Sequence, residues 1–403
     1  MGSLDEVPST ITALSEISTV DLAPRNAPPP HLYPLASATP ANHTMGDSLM
    51  RYLAIKVHQS VLTGAYSRIV ITGAYTRYSP LSIPFTLEKT DKPFNWERPT
   101  AHHDPVTNTL YIECFPGLDH LSHYAEIIPT YLALLARPDL TPPNRVSWIP
   151  TSPSDTHLAL RDHTNLSLFP GHGVHTVILG LVWHLPTLTS SPTTGTTTWS
   201  GTGPWQWVII PSPSPSSPNR TIAFLGFRPA FWGCISGEVV HFLTSRFPSL
   251  REVVYLGKLG TLAPDIVPNK YLATGGESIV DGATLTWESV LAKSIAGNMS
   301  ARECTVVGRH ATLGSVLHET MEWYEGMKDR AEFVDPEIGM MARAAVRSGV
   351  GFGYLHMVTD NLGRKYEEDL SNEREEGVLK RRERLHRVVE EVVGQYLREE
   401  RDD

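Results

Sequence analysis

Four apolar runs crowded into the middle of the chain constrain its fold more than any other feature: "VHTVILGLVWHL", "WQWVIIPS", "TIAFLGF" and "EVVYLG". Each has the length of a strand and the β-branched and aromatic content that packs well on a pleated surface. Between the third and fourth runs, "FWGCISGEVVHFLTSRFP" reads as a crossover helix, with Ile235, Val239, His241, Phe242 and Leu243 crowding one side. A second helix and strand follow near residue 350, in "IGMMARAAV" and "FGYLHMV". Strand, helix, strand in this order is the pattern of an α/β sheet protein. The connections "PTLTSSPTTGTTTWSGTGP" and "PSPSSPN" have the composition of exposed loops.

Around that centre the chain divides into four parts. Residues 1–45 are rich in Pro, Ser, Thr and Ala and are expected to be a flexible arm. Residues 46–173 begin with a helix carrying Leu49, Leu53, Val57 and Val61 on one face, capped by Asp47 or Ser48, and continue with a short buried strand, "RIVITG". Pro-rich loops, an apolar helix around "YAEIIPTYLALLAR" and short strands at "NTLYIECF" and "RVSWIP" complete this part. Residues 174–365 hold the α/β pattern. Residues 366–403 end in an amphipathic helix with Leu385, Val388, Val389, Val392, Tyr396 and Leu397 in one stripe.

Composition narrows the partners. A chain of 403 residues, 41% hydrophobic, buries a sizeable core in one large domain or two ordinary ones. A net charge of −9 gives no broad basic field, which argues against nucleic acid or an anionic membrane surface as the main partner. Cys114, Cys234 and Cys304 are too widely spaced for a disulfide framework or a zinc cluster, and are read as reduced thiols. With no apolar stretch of about 18 residues and no basic stretch leading into an apolar one at the start, a cytoplasmic location is expected.

Two acids stand out. In "VDPEIGMMARAAVRSGVGFGYLHMVTDNL" the pair Asp335-Pro336 signals a helix start, which places Glu337 in the first helical turn. Asp360 falls where the following strand gives way to a loop, at the edge where open α/β sheets usually bind ligands. Taken alone, a Glu in a first turn is stabilised by the helix dipole and an Asp after a strand caps a turn. Upstream lies "VVYLGKLGTLAPDIVPNKYLATG", a strand running into a Gly-x-x-Gly stretch of Gly257, Lys258 and Gly260.

The order and spacing of these three stretches resemble the nucleoside phosphorylase superfamily, which includes purine and uridine phosphorylases and nucleosidases. There a similar strand ends in a Gly-x-x-Gly turn, a helix start reads roughly Val-Glu-Met-Glu-Ala-Ala, and a later strand ends in Val-Ser-Asp. The resemblance covers about residues 174–365. It implies a three-layer α/β/α fold with a central mixed sheet, extended by a divergent amino-terminal portion and a carboxyl-terminal helix. It also implies cleavage of an N-glycosidic bond in a nucleoside-like small molecule, with no cofactor, and a homo-oligomer. Such cleavage leaves cationic character on the sugar and negative charge on the base, so two acids have work to do. The resemblance implies that Glu337 takes the sugar hydroxyls and Asp360 the base, with Asn361 assisting. Asp360 would need a pKa raised from about 3.9, or a proton relayed by water.

Departures from the family pattern bear on the reaction. Tyr255 stands near the place of the arginine that holds phosphate in family phosphorylases, and Pro336 replaces a methionine that packs by the ribose. Phosphate as co-substrate would then fall to Lys258, or to Arg228 or Arg77 from other turns, although Lys and Arg are not interchangeable at a bidentate site. Three alternatives follow: a phosphorylase, a hydrolase or specialised enzyme on the same scaffold, and a non-catalytic ligand binder. His310, in "GRHATLGSVLHET" with Arg309 and Thr312, falls where family members carry substrate-facing loops. Phe231, Trp232 and Tyr354 are aromatics able to stack a base. No metal site is expected, since "AHHDP", "LDHLSH" and "PGHGVH" lack the spacing of a helical zinc motif. Nucleophile-elbow, GxGxxG and Walker A patterns are absent.

Overall fold

The strand Glu252–Thr261 is the axis of the larger sheet. Its side chains alternate between two cores: Val253 and Tyr255 face one, Val254 and Leu256 the other. Burial on both faces is why the segment reads as one continuous apolar run. The computed structural model describes residues 38–73, 99–142, 145–190, 196–214, 220–227, 232–372 and 375–399, together with the short strands His31–Leu32 and Ser82–Ile83. Expectations that fall on Arg77, Arg228, Phe231 and most of residues 1–37 lie outside the described residues.

One face of the sheet is covered by helices Pro153–Asp162, Cys234–Arg246 and Ile338–Arg347. The opposite face carries the short helices Ala292–Gly297 and Met299–Cys304 and the tail helix Glu376–Arg398. The result is a three-layer α/β/α arrangement around a mixed sheet. Leu385, Val388, Val389, Val392, Tyr396 and Leu397 are all buried against it, as their spacing requires. Each such side chain contributes roughly 1.5–3 kcal/mol relative to exposure, which holds the tail on the body. One inward assignment is corrected. His241 is exposed, because at 3.6 residues per turn it lies opposite the buried row of Ile235, Ser236, Val239, Val240, Phe242 and Leu243.

Sheet pairing sets up the candidate site. Glu252–Thr261 runs parallel to Gly351–Asn361 on one edge. On its other edge it pairs first with Val174–Gly180, in parallel, and at Gly260 and Thr261 with Val334 and Phe333, antiparallel. The neighbour therefore changes beside the Gly257–Gly260 stretch. A change of strand order at the carboxyl ends is where α/β sheets open a crevice.

The amino-terminal portion has its own six-stranded sheet, with Arg68–Thr72, Thr109–Glu113 and Thr100–Asp104 among its strands, and its own core. Leu49, Leu53, Val57 and Val61 enter that core from the first helical region, Ser48–Lys56 and Ser60–Thr63, although Asp47 at the cap position makes no side-chain capping bond. The helix Leu118–Leu134 contributes Leu121, Ile127 and Ile128. Helix Pro153–Asp162, by contrast, packs Ala159 and Leu160 into the larger core.

Candidate functional site

The Gly257–Gly260 stretch is not a turn. The strand continues extended through it to Thr261, bonded to His356, Met357, Val358 and Asp360 of its parallel neighbour. The two glycines serve that neighbour. A Cβ at Gly257 would lie 2.6 Å from His356 Nε2, and one at Gly260 would lie 2.7 Å from Asp360 Oδ2. Missing side chains on one strand thus leave room for a histidine and a carboxylate on the next. The turn expected from the motif is replaced by this cross-strand fit because the ladder to Gly351–Asn361 persists past the glycines.

Asp360 lies within the strand Gly351–Asn361, one residue before its end, and is 8% exposed. Its Oδ1 accepts the Thr359 hydroxyl at 3.1 Å. It lines a small surface-open cavity of ≈ 30 Å³, whose wall also holds Glu319, Asn361, Lys365, Tyr366 and Asp369. Glu319, just past the turn Val316–His318, is 7% exposed. Burial, and then the charge of Asp360, push the Glu319 pKa well above the ordinary carboxylate value. Two like acids in one wall disfavour double ionisation, which favours the protonated form of Glu319. Asn361 is committed internally: its amide nitrogen donates to the Ala263 and Ile266 carbonyls at 2.9 and 2.8 Å, and its oxygen accepts the Gly363 and Arg364 amides, each at 2.8 Å.

Glu337 belongs to a second acidic centre and is not among the residues lining that cavity. It stands at the cap position before Ile338 rather than inside the first turn. Asp335 does the capping: its Oδ1 accepts the amides of Glu337 and Ile338, both at 2.8 Å. Burial, then the Asp335 charge, raise the Glu337 pKa well above the carboxylate range, while Lys258 acts to lower it. Lys258 also acts on His184 and His386 and does not line the Asp360 cavity.

Asp335 is itself embedded among histidines. His310 Nε2 approaches its Oδ1 at 3.0 Å and His356 Nε2 its Oδ2 at 3.8 Å. Neither ring nitrogen meets hydrogen-bond geometry with it, so these contacts are electrostatic rather than well-aligned bonds. Burial acts to raise the Asp335 pKa, but the two histidines and the Ile338 amide hold it below the ordinary value. His356 is pushed down to about 4, chiefly by burial. Ser278 Oγ lies 2.9 Å from His310 Nδ1, completing a Ser278–His310–Asp335 chain with the connectivity of a nucleophile, base and orienting acid. Ser278 and His310 are both 0% exposed. With no substrate access, the chain is a structural network that ties strand His310–Thr312 to the helix start. His310 therefore sits in the interior rather than on a substrate-facing loop.

Of the other described aromatics, Tyr354 is interior and Trp232 is half-buried. Trp232 packs on His123 at 4.4 Å while its Nε1 donates to the Gly314 carbonyl at 2.8 Å. In "AHHDP", His102 lies 3.0 Å from Glu113 and stacks on Tyr111. Two features escape motif reasoning. Glu319 has no local pattern that marks it, and becomes notable only because folding sets it beside Asp360. His157, Glu238 and His241 come from two helices and offer ligand atoms within 4.8 Å of one another.

No protein-family model matches the sequence, and no curated protein does. Among solved structures, similarity covers about half the chain. A futalosine hydrolase of Helicobacter pylori is 14% identical over 55% of this chain and 97% of its own, with a TM-score of 0.41. A 5'-methylthioadenosine/S-adenosylhomocysteine nucleosidase from Colwellia psychrerythraea, solved with adenine, is 10% identical over 56% of this chain and 95% of its own, with a TM-score of 0.40. A uridine phosphorylase from Vibrio fischeri is 11% identical over 55% of this chain and 89% of its own, with a TM-score of 0.42. Values this low establish membership of none of these families.

Proposed function

We propose that the chain is an enzyme that hydrolyses the N-glycosidic bond of a nucleoside-like small molecule in the cavity walled by Asp360 and Glu319. The observation that carries this reading is the buried acid pair: Glu319, whose pKa burial and the Asp360 charge push up, shares the wall of an open cavity with Asp360 near a strand end. A departing base needs a proton and a developing sugar cation needs a negative neighbour, and a pair holding one proton between two acids supplies both. The wall also offers Tyr366, whose hydroxyl is anchored to the Pro264 carbonyl at 2.8 Å and whose ring carries the Arg364 guanidinium at 5.4 Å on one face.

Water fits this wall better than phosphate. Against one cation, Lys365, stand Asp360 and Asp369, with Glu368 paired to Arg381. A phosphate entering beside those acids meets repulsion, whereas a neutral nucleoside and water do not. Lys258, the cation expected to take over phosphate, stands outside the wall.

A nucleoside panel assayed with and without phosphate tests the proposal. Phosphate-independent release of base is expected, with Asp360→Asn and Glu319→Gln each costing on the order of 10²–10⁴-fold in kcat/KM. The sugar-hydroxyl role implied for Glu337 predicts a comparable loss in Glu337→Gln; the cavity geometry favours retained turnover. Binding without turnover of any panel member, or unchanged rates in both Asp360→Asn and Glu319→Gln, would overturn it.

A further inference from the structure

We propose that His157, Glu238 and His241 form a binding site for one divalent transition-metal ion of the zinc class. His157 lies on helix Pro153–Asp162, and Glu238 and His241 lie on helix Cys234–Arg246, which packs against it. Positions three apart on a helix share a face, so Glu238 and His241 point the same way, toward the helix that carries His157. Each residue offers one donor atom, and the three donors lie within 4.8 Å of one another. Among the described residues no other group of His, Cys, Asp or Glu does this.

The geometry is close to what the ion requires. Bonds of about 2.0–2.2 Å in tetrahedral coordination set donors roughly 3.4 Å apart. His157 Nδ1 stands 3.9 Å from Glu238 Oε2. A closing movement of about 0.5 Å, well within side-chain rotation, brings that pair to the tetrahedral spacing. The His157 and His241 rings are 5.8 Å apart and inclined at 56°, so they are not stacked face to face and both can turn a nitrogen to a common point. Phe242, with its ring 5.3 Å from that of His157, backs the imidazole with an apolar surface. Two imidazoles and a carboxylate suit zinc, and the exposure of His241 leaves the fourth position open to water. The supports are two regular helices rather than loops, which fixes the donors in place. This site shares no residue with the Asp360 cavity. Its consequence is mechanical: an ion held there staples the first helix of the larger core to the crossover helix.

The test uses the full chain, stripped with a chelator and then titrated with zinc ions. One zinc per chain by calorimetry and a higher unfolding temperature are expected. Cobalt ions in the same site should give the visible absorption of tetrahedral coordination. His241→Ala, at an exposed position, and His157→Ala should each weaken zinc binding beyond the roughly 10–100-fold that loss of an outer-shell partner costs. His172→Ala, at another exposed histidine, should leave it unchanged. Failure of the wild-type chain to bind zinc stoichiometrically, or equal binding by wild type, His241→Ala and His157→Ala, would overturn the proposal.

Discussion

Replacing Glu319 by Gln isolates the energetic cost of the acid pair. The ordinary pKa of this side chain is 4.5, and in the folded chain burial and the Asp360 charge raise it well above that. The folded state therefore holds a proton that the unfolded state has released. Its contribution is fully present below about pH 4.5 and is lost as pH rises through the window up to the raised folded value. Within that window one extra bound proton gives a slope of about 1.4 kcal/mol per pH unit. Gln is the same shape, carries no ionisable proton and removes that slope. Denaturant unfolding of wild type and Glu319→Gln at pH 5, 6 and 7 reads it directly. Their stability difference should shift in the variant's favour by about 1.4 kcal/mol for each unit of pH while Glu319 stays protonated. Asp360→Asn removes the second cause of the shift and should narrow the window from its upper end. Parallel pH profiles for wild type and Glu319→Gln would refute the assignment of a protonated Glu319, and the proton donor in the cavity would go with it.

Asn361→Ala should act on stability rather than chemistry. It deletes four side-chain hydrogen bonds to backbone groups, each worth about 0.5–1.5 kcal/mol, and thermal unfolding should show a loss of a few kcal/mol. Gly339→Ala places a Cβ 2.0 Å from Thr312 Oγ1 and 2.4 Å from Val280 Cγ2, where helix Ile338–Arg347 presses on the buried network. A destabilisation of about 1–3 kcal/mol or more is expected in denaturant melts, and an unchanged midpoint would contradict the packing described for that helix start.

Period and composition made much of the fold legible. The strands Val174–Gly180, Trp205–Pro211, Thr221–Phe227 and Glu252–Thr261, the helices Cys234–Arg246 and Ile338–Arg347, and the tail stripe from Leu385 to Leu397 all follow from local hydrophobic pattern. Burial has a period, and that period is written into consecutive residues. His241 departs from that pattern, since the helix turns it away from the buried face that its neighbours Phe242 and Leu243 share.

Local pattern suffices for the α/β character and for Asp360 at a strand end. What stands beside that acid depends on packing between distant elements. Gly257 and Gly260 look like a loop in the sequence and prove to be space left for a neighbouring strand's side chains. Glu319, unmarked in the chain, shares the cavity wall with Asp360, while Glu337, marked by its motif, is held through its backbone amide to Asp335 outside that wall. A strand or helix is fixed by contacts a few residues apart, but the charge environment of a carboxylate is set by groups far away in the chain, and their meeting depends on how whole elements pack.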